Sequence, residues 1–425
     1  MTALRLLDGI GRSPMSYERH AQVHGELPRT PALRHELERS GLRGRGGASF
    51  PLSAKVDAVC RARGEPVLVV NACEGEPMSS KDRLLLRSTP QLVLDGAVSL
   101  AAAIGAREVI VAVDERERGL AENLRTAIGE RPTTRGTHLH LTALPSRYVS
   151  GQETALVRWC NDRVAKPRSL GPRVTDRGIG RRPTLVANAE TIAHVALIAR
   201  HGAAWFRAVG TGEDPGSALV TVSGAIRAPG VYEIGHGEPL GSLLAAAGGV
   251  AERARAFLLG GYAGGWIDAT DEPAVRLSPA QLRPLGARLG PGVVFVLGES
   301  ACPVDETARA ARWLAEQSAG QCGPCVHGLA SIAGALAAIR DGRDGGDGGD
   351  GRDGPPALAR VERWCEQVTG RGACAHPDGT ANFIASALRV FAPELADHAD
   401  GGRCNACRGA AVRPASRGPM PAGVA

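Results

Sequence analysis

Lysine is nearly missing from this 425-residue chain. Lys55, Lys81 and Lys166 are the only three, so arginine supplies almost all of the 50 basic residues. Aromatic residues make up just 4% of the sequence. With few faces for base stacking, no recognition motif and a net charge of only +6, the chain is not expected to bind nucleic acid. No uncharged apolar run approaches the roughly 20 residues that cross a bilayer. The opening MTALRLLDGIGRSP has neither a sustained apolar segment nor a cleavage signal. The expectation is a cytoplasmic protein with no direct membrane insertion. A hydrophobic fraction of 43% with 22% charged residues excludes a wholly disordered chain.

Glycine, at 56 positions, and cysteine, at ten, are what stand out in the composition. The cysteines crowd toward the C-terminal third of a chain too large to need disulfide staples, which favours metal or redox chemistry in a reducing compartment. Residues 1–35 read as an irregular lead-in. Residues 36–212 alternate buried strand runs such as Val67–Val70 with helical patterns, as an α/β domain with a mostly parallel sheet does. Residues 213–298 read as a β-grasp-like module that opens with a hairpin turning at Pro229-Gly230. Helical periodicity fills 299–395, interrupted by a glycine- and aspartate-rich flexible linker at 341–356. A flexible tail, 396–425, follows.

The segment GLRGRGGASFP, residues 41–51, allows successive amide N–H groups at Gly44, Arg45, Gly46 and Gly47 to converge on a phosphate. Arg45 can add a charge-assisted contact, Phe50 offers a stacking face, and Lys55 can face the same anion. The order of residues matches neither the dinucleotide fingerprint nor a P-loop, and a plain glycine-rich surface loop remains the alternative. After the first strand run comes NACEGEP, residues 71–77. Asn71 can bond a planar heterocycle, and Glu74 or Glu76 can accept from ribose hydroxyls or an amide. Otherwise this is an acidic turn balanced by Lys81 and Arg83.

Taken together, GLRGRGGASFP, NACEGEP…KDR, YVSGQETAL and RRPTLVANAET resemble, in order, the flavin- and NADH-binding subunit of respiratory NADH:quinone oxidoreductase. That family extends to diaphorase subunits of NAD-linked hydrogenases and formate dehydrogenases. The resemblance runs from about residue 35 to residue 395. It implies a multidomain α/β protein with a Rossmann-like FMN-binding domain, a β-grasp-like soluble-ligand-binding (SLBB) domain acting as a brace, and a C-terminal helical iron–sulfur domain. It also implies NADH oxidation through FMN. Single electrons would then pass to an iron–sulfur cluster and on to a thioredoxin-fold, ferredoxin-like or quinone-reducing partner, including one in a membrane-associated redox complex. FMN carries over to Gly44, Arg45, Gly46, Gly47, Phe50, Lys55 and Asn71, with Thr184, Asn188 and Thr191 holding positions of the family's PTLVNNVET pattern. NADH contacts carry over to Glu74, Glu76, Gln152, Glu153 and Arg173. Here the chain departs from its family: Cys73 replaces a carboxylate, Ser49 and Met78 replace glycines, and Gln152 replaces glutamate. Arg173 stands where an aromatic platform for adenine is usual, and can still stack or contact a phosphate. Two alternatives follow, an FMN protein with another donor or acceptor and a non-catalytic structural subunit.

The family's cluster ligands are written CGxCxxC plus a later cysteine. Cys322 and Cys325 match the second and third ligands and Cys374 the fourth, while Ala319 occupies the first position and cannot bind iron. The readings are a [4Fe–4S] cluster with a non-standard fourth ligand, a [3Fe–4S] cluster, a zinc set with one histidine, or a vestigial site. Cys302, Cys365, His327, His376 or an external group could complete the shell. Cys404 and Cys407 form a CxxC that could hold another metal, act as a redox dithiol, or be inert. Cys60, Cys73 and Cys160 read as ordinary thiols, with Cys73 the one that could face the flavin.

Overall fold

Three strands with almost unbroken apolar runs, as expected where both faces are covered, and one alternating, half-exposed edge strand make the first sheet. They are β1 (Val67–Ala72), β2 (Glu108–Asp114), β3 (His138–Leu144) and β4 (Thr184–Asn188), all parallel in the order β3-β2-β1-β4. The computed structural model describes residues 4–342, 356–404 and 406–407, apart from 12, 29, 133 and 135. Helices Pro90–Ile104 and Ala189–Arg207 pack closely on each other beside this sheet. Gly96 lets them meet: a Cβ there would collide with the Ile192 carbonyl.

The predicted hairpin forms, pairing Ser217–Gly224 with Gly230–Gly235 in antiparallel register. It joins Val293–Gly298, Ala254–Leu259 and Gly265–Asp268 in a mixed five-stranded sheet. The third layer contains helices Pro303–Glu316, Ala330–Arg340, Ala357–Val368, His376–Val390 and Ala392–Ala399. Trp266, fully buried at the second sheet, locks this layer on, with its ring 5.1 Å from Phe391 and 6.1 Å from Phe383. Among the described residues no helix is long and apolar enough to cross a membrane.

Both ends of the chain depart from expectation. The lead-in is not irregular throughout, because Tyr17–His24 is a helix whose cap, the Ser16 hydroxyl, accepts from Arg19 N at 3.3 Å. Its buried residue is His20, 2.7 Å from Asp95, which also binds Arg131 and Arg200. An ionic anchor leaves no apolar periodicity to read. The tail begins as structure too: its first residues finish helix Ala392–Ala399, and Cys404 is buried. The linker at 341–356 lies outside the described residues except at Asp341, Gly342 and Pro356.

Two buried groups join the layers. Lys81, 1% exposed, places Nζ 2.8 Å from both Asp82 Oδ1 and Glu190 Oε2. Burial alone would strip its proton, but Asp82, Glu190 and Glu74 outweigh that and hold it charged. Glu190 passes the link on, accepting from Leu219 N of the second sheet at 2.9 Å. Glu76 accepts from Tyr262 N at 3.0 Å, from Met78 N at 3.3 Å and from Tyr148 Oη at 3.4 Å. Burial pushes its carboxyl up to about 7, with those three bonds pulling the other way.

Replacing Lys81 with Met leaves two buried carboxylates without their cation and should cost about 3–5 kcal/mol, read from urea denaturation. For Glu76 the folded carboxyl titrates near 7 against an ordinary 4.5. The native state therefore keeps a proton that the unfolded chain has already released, and stability declines as pH rises through that window. Glu76→Gln retains an acceptor for Tyr262 N. It should flatten the decline, a difference on the order of 3 kcal/mol between about pH 4 and pH 8 in denaturant titrations.

Candidate functional site

The glycine loop starts and ends on backbone bonds, Gly44 N to Phe50 O at 2.8 Å and Leu52 N to Leu42 O at 2.9 Å. Inside it, Gly47 takes φ +113° and Ser49 φ +50°, a left-handed conformation that costs a serine energy. The loop presses on the end of β4. Arg45 N donates to Thr191 Oγ1 at 2.9 Å, and a Cβ on Gly46 would meet Asn188 Cβ at 3.2 Å. Asn188 caps the following helix by accepting from Glu190 N at 3.1 Å. The loop thus lies at the carboxyl end of a parallel sheet beside a helix N-terminus, where such sheets bind phosphorylated ligands.

The donors there suit an anion. Arg45 is 6% exposed and gives Nη2 to Pro215 O at 3.3 Å, while its Nε and the Ser49 hydroxyl are buried without a partner. Burial lowers the guanidinium to about 10, against the pull of Glu190 and Asp214, so it stays charged at neutral pH. Beyond the loop lies a cavity of about 580 Å³ lined by Phe50, Lys55, Glu153, Arg168, Arg173 and Arg177. Phe50 is 51% exposed at this cavity, a large apolar face left open. Lys55 Nζ stands 3.1 Å from Glu153 Oε1 and 3.1 Å from Val186 O. Phe50, Lys55, Glu153 and Arg173 are therefore together, next to Gly44, Arg45, Gly46 and Gly47.

Other residues take different places. Asn71 Nδ2 donates to Gly151 O at 2.7 Å and its Oδ1 accepts from Cys73 N at 3.2 Å, tying the end of β1 to the loop before helix Glu153–Asp162. Gln152 caps that helix by accepting from Thr154 N at 2.9 Å and Ala155 N at 3.0 Å, a task that needs an oxygen but no charge. Thr184 is fully buried and closes a turn, its hydroxyl accepting from Ile179 N at 2.9 Å. Glu74 is held by Ser79 and Arg83 at 2.6 and 3.2 Å. With Glu76 it lines a separate cavity of about 380 Å³, beside Arg116, Arg147 and Tyr148. Cys73 points its thiol at Ala112 O, 3.4 Å away, and burial raises its pKa, so it stays a protonated thiol.

In the helical layer Cys322, Cys325 and Cys374 converge. Burial first, then the nearby thiols of Cys322 and Cys374, push Cys325 up to about 12, while a hydrogen bond from Ser318 opposes this. Cys374 is raised as well, by burial and by Cys322, with the His376 backbone N–H opposing. A cationic centre would relieve that mutual repulsion, so the donor set fits iron. Among the candidate fourth ligands, Cys302 is committed to another group. Cys302 lies against His398, Cys404 and Cys407, His376 Nε2 is 2.9 Å from Leu314 O, and His327 is exposed. Cys365 is buried, raised by its burial and by Glu362 and Glu366. The residue that sequence reasoning passed over is Ser318, a hydroxyl one position before the gap at Ala319.

Comparison with known proteins agrees along most of the chain. Residues 37–197 match the Nuo51 FMN-binding domain, 219–265 the SLBB domain, and 305–398 the NADH-ubiquinone oxidoreductase-F iron-sulfur binding region. An NADH-quinone oxidoreductase subunit of Rhizobium meliloti is 33% identical over 383 residues, covering 87% of this chain and 89% of that one. Its counterpart in Streptomyces coelicolor is also 33% identical, over 87% of this chain and 83% of its own length. A crystal structure of an NAD+-reducing [NiFe]-hydrogenase in the air-oxidised state superposes with a TM-score of 0.83 at 29% identity, over 93% of this chain and 67% of that one. With a glycine loop at a helix N-terminus, an open cavity beside it and converging thiols on one matched framework, the chain belongs to the family of 51 kDa-type flavin- and NADH-binding subunits of NADH:quinone oxidoreductase.

Proposed function

We propose that this chain is the electron-entry subunit of a redox complex, oxidising NADH through FMN and passing single electrons to an iron–sulfur cluster. Its onward partner on this reading is a thioredoxin-fold or ferredoxin-like iron–sulfur subunit. The observation that carries the reading is the shared cavity of Phe50, Lys55, Glu153 and Arg173 beside the glycine loop. When bound, FMN supplies the chemistry that no side chain here has, accepting a two-electron hydride and releasing electrons singly.

The chain's own residues bind and orient. The Gly44–Gly47 amides, Arg45 and Lys55 supply positive potential for the phosphate, and the unpartnered Arg45 Nε and Ser49 Oγ remain free to bond it. Asn71, fixed by Gly151, presents an amide at the carboxyl end of β1. Phe50 offers its open face to a planar ring. Cys322, Cys325 and Cys374 would hold the cluster with three thiolates, and Ser318 Oγ, which bonds Cys325, is the protein oxygen at hand for the fourth place.

A second reading has its own observation. Arg168, Arg173 and Arg177 line the cavity with Lys55, and Arg173 stands where the family sets an aromatic platform. That surplus of cations suits a nucleotide with an additional phosphate, as arginine does beside a 2′-phosphate. A kcat/KM for NADPH above that for NADH would decide for it, and Arg173→Ala would then lower the NADPH value selectively.

Protein purified without air should show a flavin band that NADH bleaches, with about three to four irons per chain. FMN left unmoved by both NADH and NADPH would defeat both donor assignments. Cys374→Ser should abolish the cluster absorbance and leave the flavin, whereas Ala319→Cys, which supplies the family's missing thiol, should raise iron retention. Lys55→Ala should weaken FMN binding roughly 10- to 100-fold, the worth of a charge-assisted bond, in a fluorescence titration.

A further inference from the structure

Outside the cofactor sites, four ligand-bearing side chains meet at the C-terminal end of the described chain. Cys302 precedes helix Pro303–Glu316, His398 sits in the last turn of Ala392–Ala399, and Cys404 and Cys407 belong to the segment that follows. Their ligand atoms all lie within 4.8 Å of one another, and among the described residues they are the only group of three or more His, Cys, Asp or Glu that does so. Cys302 Sγ is 3.6 Å from Cys404 Sγ and 3.8 Å from His398 Nε2, and Cys407 Sγ is 3.9 Å from the same nitrogen. Four ligands at the corners of a tetrahedron around one zinc ion, with Zn–S about 2.3 Å, stand roughly 3.5–3.8 Å apart.

The imidazole is already set for this role. His398 Nδ1 donates to Arg340 O at 3.2 Å, which leaves Nε2 with its lone pair facing the three thiols. Cys404 N donates to Nε2 at 3.3 Å, which marks Nε2 as the unprotonated nitrogen, and zinc would take that lone pair in its place. His398 and Cys404 are buried at 2% and 3% exposure, and Cys302 and Cys407 are half-buried.

We propose that Cys302, His398, Cys404 and Cys407 bind a single structural zinc ion, separate from the iron–sulfur set of Cys322, Cys325 and Cys374. A cluster is the poorer occupant: thiolates bound to separate irons stand farther apart than these, and the Cys322–Cys325–Cys374 set, which does not close to the same mutual distance, has the more open arrangement. Redox-inert zinc with all four positions filled by protein has no place for substrate. Its work is mechanical. It pins Cys404 and Cys407 against the start of Pro303–Glu316 and the ends of two further helices, Ala330–Arg340 and Ala392–Ala399.

The test uses the full chain, purified without air and without added metal, with zinc and iron counted by mass spectrometry. About one zinc per chain is expected. Cys404→Ser and Cys407→Ser should lose the zinc and keep both iron and cluster absorbance, and Cys374→Ser should do the reverse. Should those variants not fold, the wild-type protein suffices. Cobalt replacing the zinc should give the intense visible bands of a tetrahedral thiolate site. Chelation should open the Arg403 peptide bond to trypsin while the cluster spectrum persists. Absence of zinc, loss of iron in Cys404→Ser, or a Cys302–Cys404 disulfide in the anaerobic protein would each overturn the assignment.

Discussion

A buried ammonium holds the cofactor half of this protein in shape. Lys81 lies between Asp82 and Glu190, with Asn188 Oδ1 at 3.3 Å, and has almost no contact with water. Asn188 in turn gives Nδ2 to Asp82 at 2.6 Å. Every group in that cluster is thereby oriented. Asn188 also caps the helix against which the glycine loop rests, and Glu190 grips the backbone of the second sheet. A charge so buried is tolerated only because its partners are complete. The site inherits that rigidity, which is what holding a flat cofactor requires.

The three layers contribute different parts of an electron path. The parallel sheet places its loop and cavity at the carboxyl ends of the strands. The second sheet contributes Leu219 and, from the turn between two of its strands, Tyr262 as fixed backbone donors, and supports the helical layer through Trp266. The helices bring Cys322 and Cys325 to Cys374 across a long stretch of sequence.

Much of this was legible in the sequence because it is written in local terms. The buried strand Val67–Val70, the hairpin at Pro229-Gly230 and the glycine loop each depend on a few adjacent residues. What escaped depends on partners far apart. Helix Tyr17–His24 packs through His20 on Asp95, so its buried side carries no apolar signal. Gln152 is a local exception: it reads as a weakened nucleotide ligand, yet its oxygen caps the helix that starts at the next residue. Glu74 and Glu76 read as ribose acceptors, and each is already occupied by protein donors. Cys302 and Cys404 are 102 positions apart, and only the folded chain shows that they face each other.

The bond from Glu190 to Leu219 bears on how this protein can be divided. The sequence pattern suggests a flavin module ending near residue 212, and a gene fragment cut there would look complete. Such a fragment would leave a Glu190 oxygen without its backbone donor and expose the surface around Lys81 that the second sheet covers. Modularity in the sequence is therefore not separability in the fold. Recombination among relatives would be expected to keep the first two layers together as one inherited block.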